Sequence, residues 1–145
     1  MPSSKPPLPR HTGTDVYVVV LPLAGWAIHR GLRSTRSLFR ALAGTEEIDL
    51  SQQPHPCELT GSMVVDRARG LGYCGLSERC DETGARLVHE AFGLRATLVF
   101  DLAEGEYHTN VVLAVLAGRA ALVCRDGFAD PAVADAIAAF YPYGI

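Results

Sequence analysis

The sequence predicts an α+β domain assembled from repeated strand–strand–helix–strand units. Residues 61–101 carry apolar runs and turn signals in the order strand, turn, strand, helix, strand. The same order starts again at Asn110, 48 residues after Ser62. A length of 145 residues, 48% of them hydrophobic and 20% charged, suits one globular domain with its own core. Repeats of this size stack around an axis or along a line.

Residues 1–14 read as a disordered lead-in, because Met1 to Pro9 is rich in Pro and Ser. They lack the apolar core of a secretory signal, so a cytoplasmic protein is expected. Residues 15–145 form the predicted domain, in modules of about 15–50, 61–101 and 110–145. Asp15 to Leu23 is β-branched and aromatic, hence a strand. Ser34 can cap a helix to Ala43, with Leu38, Phe39 and Leu42 as its apolar stripe and Gly44 as its stop. Glu47 to Leu50 reads as a short strand, followed by a Pro-containing loop, Ser51 to Pro56.

In the second module, Ser62 to Asp66 and Leu71 to Leu76 read as strands around a turn at Arg67 to Gly70. Asp81 or Thr83 opens a helix through Glu90, with Leu87, Val88 and Ala91 inward, and Gly93 ends it. Arg95 to Phe100 is the third strand. In the third module, Asn110 to Leu116 and Ala120 to Cys124 are strands joined by Gly118-Arg119. Asp130-Pro131 caps and opens a helix over Val133 to Phe140. Tyr143-Gly144-Ile145 stands where a closing strand would begin, so the last module is expected to lack it. Edges left open in this way can support self-association or pairing with a partner chain.

Net charge is −3 and no basic tract occurs, which argues against nucleic acid or an anionic membrane surface as partner. The apolar runs are too short to span a bilayer. The four cysteines, Cys57, Cys74, Cys80 and Cys124, show no CxxC spacing, so no metal or other cofactor is expected. Cys74 and Cys124 read as strand cysteines buried by packing.

Chemistry is suggested by two polar insertions, each just ahead of a strand. Glu58 lies in Cys57-Glu58-Leu59-Thr60-Gly61-Ser62, and His108 in Tyr107-His108-Thr109-Asn110. A carboxylate and an imidazole at matching points of two repeats can act as an acid–base pair. Each could equally be a solvated loop residue.

Gly75-Leu76-Ser77-Glu78-Arg79-Cys80-Asp81 resembles the Gly-Leu-Ser-x-Arg-Thr-Asn segment of dimethylarginine dimethylaminohydrolases. Together with Glu58-Leu59-Thr60-Gly61-Ser62 and His108-Thr109-Asn110, it resembles the guanidino-group-modifying superfamily of arginine deiminases, amidinotransferases and dimethylarginine hydrolases. The Thr-Gly-Ser and His-Thr-Asn forms look most like its citrulline-utilisation hydrolase branch. The resemblance implies a pentein-like β/α propeller, here partial. It implies hydrolysis of a C–N bond in a citrulline- or arginine-like amino acid by Cys/His covalent catalysis, without a cofactor.

By the same resemblance, His108 is the general acid/base and Glu58 the acid that orients it. Leu59 stands where the family has glycine. Arg79 would clamp the substrate carboxylate with its two-pronged fork. Asn110 replaces an aspartate, which suits a neutral ureido group better than a guanidinium. Trp26, His29 and Arg30 loosely resemble an Ala-Pro-x-Arg-Arg stretch and read better as packing or surface residues. None of the cysteines takes the nucleophile's place, which the family puts beyond the last helix here. The chain is therefore expected to be truncated and inactive alone. The alternative is a non-catalytic amino-acid-binding module, or an interaction subunit completed by a partner chain.

Overall fold

The computed structural model describes Ile48, Leu50 and residues 53–59 and 61–145. The chain falls into two compact units, Met1–Asp49 and Leu50–Ile145. The expected elements at 15–23 and 34–43, and Trp26, His29 and Arg30, lie outside the described residues. Of the expected strand at 47–50, Ile48 and Leu50 are described and neither is in a strand.

The second unit holds two three-stranded sheets. In the first, β1 (Met63–Asp66) pairs antiparallel with β2 (Leu71–Leu76), and β2 pairs parallel with β3 (Ala96–Asp101). Helix α1 (Glu82–Ala91) makes the crossover between the parallel strands. It starts where the sequence signals a cap: the Asp81 carboxylate accepts from the Gly84 amide at 2.6 Å. Gly84, Ala85 and Val88 form its buried face.

The second sheet repeats this order. Strand β4 (Leu113–Leu116) pairs antiparallel with β5 (Ala120–Val123), and β5 pairs parallel with β6 (Tyr143–Gly144). The β4–β5 hairpin turns at Ala117 (φ 49°) and Gly118 (φ 68°). Two successive positive φ values are what a type I′ turn requires, and they match the twist of the strands. Asp130 caps helix α3 (Pro131–Phe140), accepting from Ala132 N at 2.9 Å, and Pro131 occupies the first turn.

Two expectations are corrected. Residues 109–112 form a single helical turn, α2 (Thr109–Val112), ahead of the strand predicted to start at Asn110. The last module does close: β6 lies beside β5, and Ile145 extends the pairing, its amide donating to Ala121 O at 3.0 Å.

The larger core cluster joins both sheets. Phe100 stacks on Phe128 with ring centroids 4.8 Å apart, in one cluster with Leu102, Leu113 and Ile137. Inside it runs a polar chain. Tyr141 donates to the buried Asp66 carboxylate at 2.9 Å, and its oxygen lies 2.8 Å from the Tyr73 hydroxyl. Burial pushes the Tyr141 hydroxyl pKa up, and Tyr73 and Asp66 push it further the same way. A second, smaller cluster holds Cys57, Met63, Cys74, Cys80, Ala85 and Val88.

Removing the Tyr141 hydroxyl takes a donor from a buried carboxylate, which costs about 1–3 kcal/mol. Tyr141→Phe should therefore lower the urea midpoint clearly. Tyr143→Phe, at a residue 72% exposed, should change stability by less than about 0.5 kcal/mol. Equal effects would contradict the buried network.

Candidate functional site

Glu58 sits in the turn that leads into β1. Its carbonyl accepts from the amides of Gly61 (3.2 Å) and Ser62 (2.9 Å), which tightens the turn. Its own amide donates to Arg79 O at 2.9 Å, so the backbones of these two residues are paired directly. Thr60, within the turn, lies outside the described residues. Leu59, where the resemblance calls for glycine, packs against the smaller core cluster.

Arg79 lies between β2 and α1. Ser77 organises this loop: its hydroxyl accepts from Arg79 N at 3.1 Å and donates to Tyr107 O at 2.8 Å. One serine thus ties the arginine to the residue before His108.

His108 precedes α2, and its neighbour Thr109 holds it in place. The fully buried Thr109 hydroxyl donates to Ser62 O at 2.5 Å and accepts from Gly75 N at 2.7 Å. Asn110 N donates to Gly61 O at 3.0 Å. The His108 ring and Asn110 Oδ1 then lie over Gly61. A Cβ at that glycine would stand 2.5 Å from His108 Cγ and 2.9 Å from Asn110 Oδ1. Glycine is needed there for close approach. Tyr107 tilts against the imidazole with centroids 4.6 Å apart.

These constraints bring Glu58, Arg79 and His108 together. Glu58 Oε2 is 3.2 Å from Arg79 Nη1 and 3.2 Å from His108 Nε2. The carboxylate and the imidazole are largely buried, with side chains 18% and 15% exposed, while Arg79 at 47% stands at the rim. Burial raises the Glu58 carboxyl pKa, but the adjacent His108 imidazole and Arg79 guanidinium outweigh it and hold it below its ordinary 4.5.

The His108–Glu58 contact has ion-pair distance without hydrogen-bond alignment. Among the described residues the buried His108 Nε2 makes no hydrogen bond. A buried, unaligned ring nitrogen beside a carboxylate can exchange a proton with a bound molecule. Asn110 is exposed beside this pair.

An apolar cleft of about 290 Å³ lined by Leu71, Leu98, Ile137 and Phe140, among others, shares no residue with this site. The lining of the cleft holds one titratable residue, Tyr73, whereas the polar mouth gathers a carboxylate, an imidazole and a guanidinium. Among the described residues no group of His, Cys, Asp or Glu forms a metal-binding set, and no helix is long and apolar enough to cross a membrane.

The sequence reading missed the supporting residues Gly61, Ser77 and Thr109. Small and hydroxyl residues flanking both insertions were the available signal. It also missed that Cys57, Cys74 and Cys80 come together, and it expected Cys124 to be buried. Cys124 is exposed, because the chain leaves β5 there and turns into a short 3-10 segment, Arg125–Gly127.

The family model for eukaryotic N,N-dimethylarginine dimethylhydrolase matches residues 38–139. No curated protein sequence matches the chain. The chain is similar to the product-bound N-terminal domain of ArgZ, an arginine dihydrolase from the ornithine–ammonia cycle in cyanobacteria. The TM-score is 0.65 at 17% identity, covering 87% of this chain and 45% of that one. It is also similar to a mutant DDAH from Pseudomonas aeruginosa complexed with citrulline. There the TM-score is 0.57 at 17% identity, covering 86% of this chain and 47% of that one. The chain therefore spans about half the length of these structures. At this identity the likeness shows a shared fold.

Two outcomes check the site's geometry. Gly61→Ala should displace the His108 ring and lower the melting temperature, whereas Gly105→Ala, with nothing near its Cβ position, tests only the cost of a positive φ. A smaller loss at Gly61 would contradict the packing. The second concerns pH. A carboxyl with a depressed folded pKa contributes stability above its unfolded value and loses it as pH falls through the folded one. The melting-temperature gap between wild type and Glu58→Gln should be full above the ordinary carboxyl pKa and shrink as pH falls through the lowered folded value. A gap independent of pH would contradict the ion pairs.

Proposed function

The chain belongs to the N,N-dimethylarginine dimethylhydrolase family of the guanidino-group-modifying superfamily, and from that premise we propose that its polar mouth handles the C–N bond of a citrulline- or arginine-like amino acid. The observation that carries this reading is the single Glu58 oxygen lying 3.2 Å from both the His108 imidazole and the Arg79 guanidinium. The proposed fold is a β/α propeller, of which the two described sheets would be blades.

In this reaction a thiolate attacks the guanidine or ureido carbon and forms a C–S bond. The C–N bond breaks, and His108 Nε2 delivers a proton to the leaving nitrogen. His108 then takes a proton from water, which attacks the thiouronium or thiocarbamate carbon and returns the sulfur as thiolate. Glu58 stabilises the imidazolium that exists before the first proton transfer and again after the second. Arg79, at the rim, turns its fork to the substrate α-carboxylate. Asn110 accepts from a ureido or guanidino N–H.

The thiolate is not assigned to this chain. Cys57, Cys74 and Cys80 are turned toward one another in the core, and Cys124 lies exposed at the end of β5. This supports a second reading, in which the chain by itself recognises the amino acid without turning it over. In either reading a small amino acid is the partner, in a cytoplasmic setting.

Calorimetry on the purified chain with citrulline, arginine and N,N-dimethylarginine tests both. Binding is expected, weakened about 10–100-fold by Arg79→Ala, since a charged hydrogen-bonded contact contributes about 1.5–3 kcal/mol. No product is expected on prolonged incubation. Absence of binding to all three would overturn the site assignment. Turnover abolished by His108→Ala would overturn the binding-only reading and place the nucleophile within the chain.

A further inference from the structure

Cys57, Cys74 and Cys80 are 3%, 0% and 0% exposed. Cys80 Sγ lies 3.1 Å from Cys57 Sγ and 3.3 Å from Cys74 Sγ. All three are free thiols. Cys57 and Cys80 face each other across an antiparallel bridge. The flanking bonds run from Glu58 N to Arg79 O (2.9 Å) and from Asp81 N to Pro56 O (3.1 Å). That pattern makes Cys57 and Cys80 a non-hydrogen-bonded pair, the kind whose Cα atoms lie about 4.5 Å apart and whose side chains approach most closely. The spacing falls within the span of about 4.4–6.8 Å that a disulfide accepts.

We infer that this cluster is a redox modification site, at which a hydroperoxide oxidant joins Cys57 to Cys80 in a cross-strand disulfide. The Cys57 sulfur attacks one peroxide oxygen and the O–O bond breaks. With hydrogen peroxide, Cys57 becomes a sulfenic acid and water leaves. The Cys80 sulfur then attacks the Cys57 sulfur, the S–O bond breaks, and a second water leaves with the Cys80 proton. Two thiols are oxidised, one peroxide is reduced, and two waters form.

Geometry favours Cys57 for the first attack: it is the one of the three with any exposure, 3%, and its sulfur accepts a hydrogen bond from Cys80. Hydrogen bonds from Cys74 and Cys80 draw its thiol pKa down, against burial and the nearby Asp81 charge, while Cys74 and Cys80 are pushed up. The thiolate is the reactive form. Burial limits access to small oxidants.

The bond would act on the mouth through the backbone. Cys57 precedes Glu58 and Cys80 follows Arg79, so the disulfide would staple the two segments that carry the carboxylate and the guanidinium. The inference stands on the thiols alone and is independent of the proposed reaction.

The test uses the full chain carrying Cys124→Ser, which removes the exposed thiol. The folded protein is treated with hydrogen peroxide, quenched, unfolded and alkylated, and its peptides are mapped by mass spectrometry. The expected result is a loss of two hydrogens, one alkyl label in place of the three available, and a Cys57–Cys80 peptide that dithiothreitol separates. The oxidised form should melt higher, by on the order of 5 °C. Cys80→Ser on the same background should show no loss of two hydrogens. Three labels after peroxide, a Cys74–Cys80 link instead, or a lower melting temperature on oxidation would overturn the inference. The peptide map decides the matter even if Cys80→Ser does not fold.

Discussion

The buried hydroxyl of Thr109 is the constraint on which the arrangement depends. It donates to the carbonyl at the start of β1 and accepts from an amide near the end of β2. One partner, Ser62, immediately precedes β1 and the other, Gly75, lies in β2, whereas Thr109 opens the segment that leads into the second sheet. One small side chain therefore sets where the second sheet's entry meets the first sheet. His108, one residue earlier, inherits that position. In a region closed to water each of these bonds is expensive to leave unmade, so the junction has little freedom to drift.

The electrostatics follow from the same junction. Glu58 is delivered from the first sheet's entry turn, Arg79 from the loop after β2, and His108 from the start of α2. Three loops converge on one carboxylate oxygen because they are already bonded to one another: Glu58 to Arg79 and Gly61 to Asn110 through the backbone, and the Ser77 hydroxyl to Tyr107 O. Loops held in this way can carry reactive groups at fixed distances while the sheets bear the folding energy. Exposure rises from a nearly buried imidazole to a half-exposed guanidinium, which under the proposed function makes an inner acid–base end and an outer anion-binding end.

Much of this was legible in the sequence where local and tertiary preferences agree. β2 and α1 could be read because Leu71 to Leu76 follows a turn that ends in Gly70 and Asp81 is a strong cap. The turn α2 could not, since Val111 and Val112 favour a strand and only the Thr109 and Asn110 bonds bend the chain there. β6 escaped notice because two residues carry no periodicity. Glu58 and His108 stood out as polar insertions before apolar runs, and Arg79 through its motif. Their convergence depended on a glycine that leaves room for an imidazole, and spacing does not encode that. The thiol cluster was illegible for a similar reason: Cys57, Cys74 and Cys80 follow no motif and meet only through strand register.

The proposed function requires one polar mouth to receive an amino acid. Backbone amide chemical shifts of the labelled chain, recorded while citrulline is titrated to saturation, test this most directly. The account predicts changes concentrated at Glu58, Arg79, His108 and Asn110, with Leu98 and Phe140 in the apolar cleft unmoved. Changes confined to the cleft, or none anywhere at saturating citrulline, would contradict it.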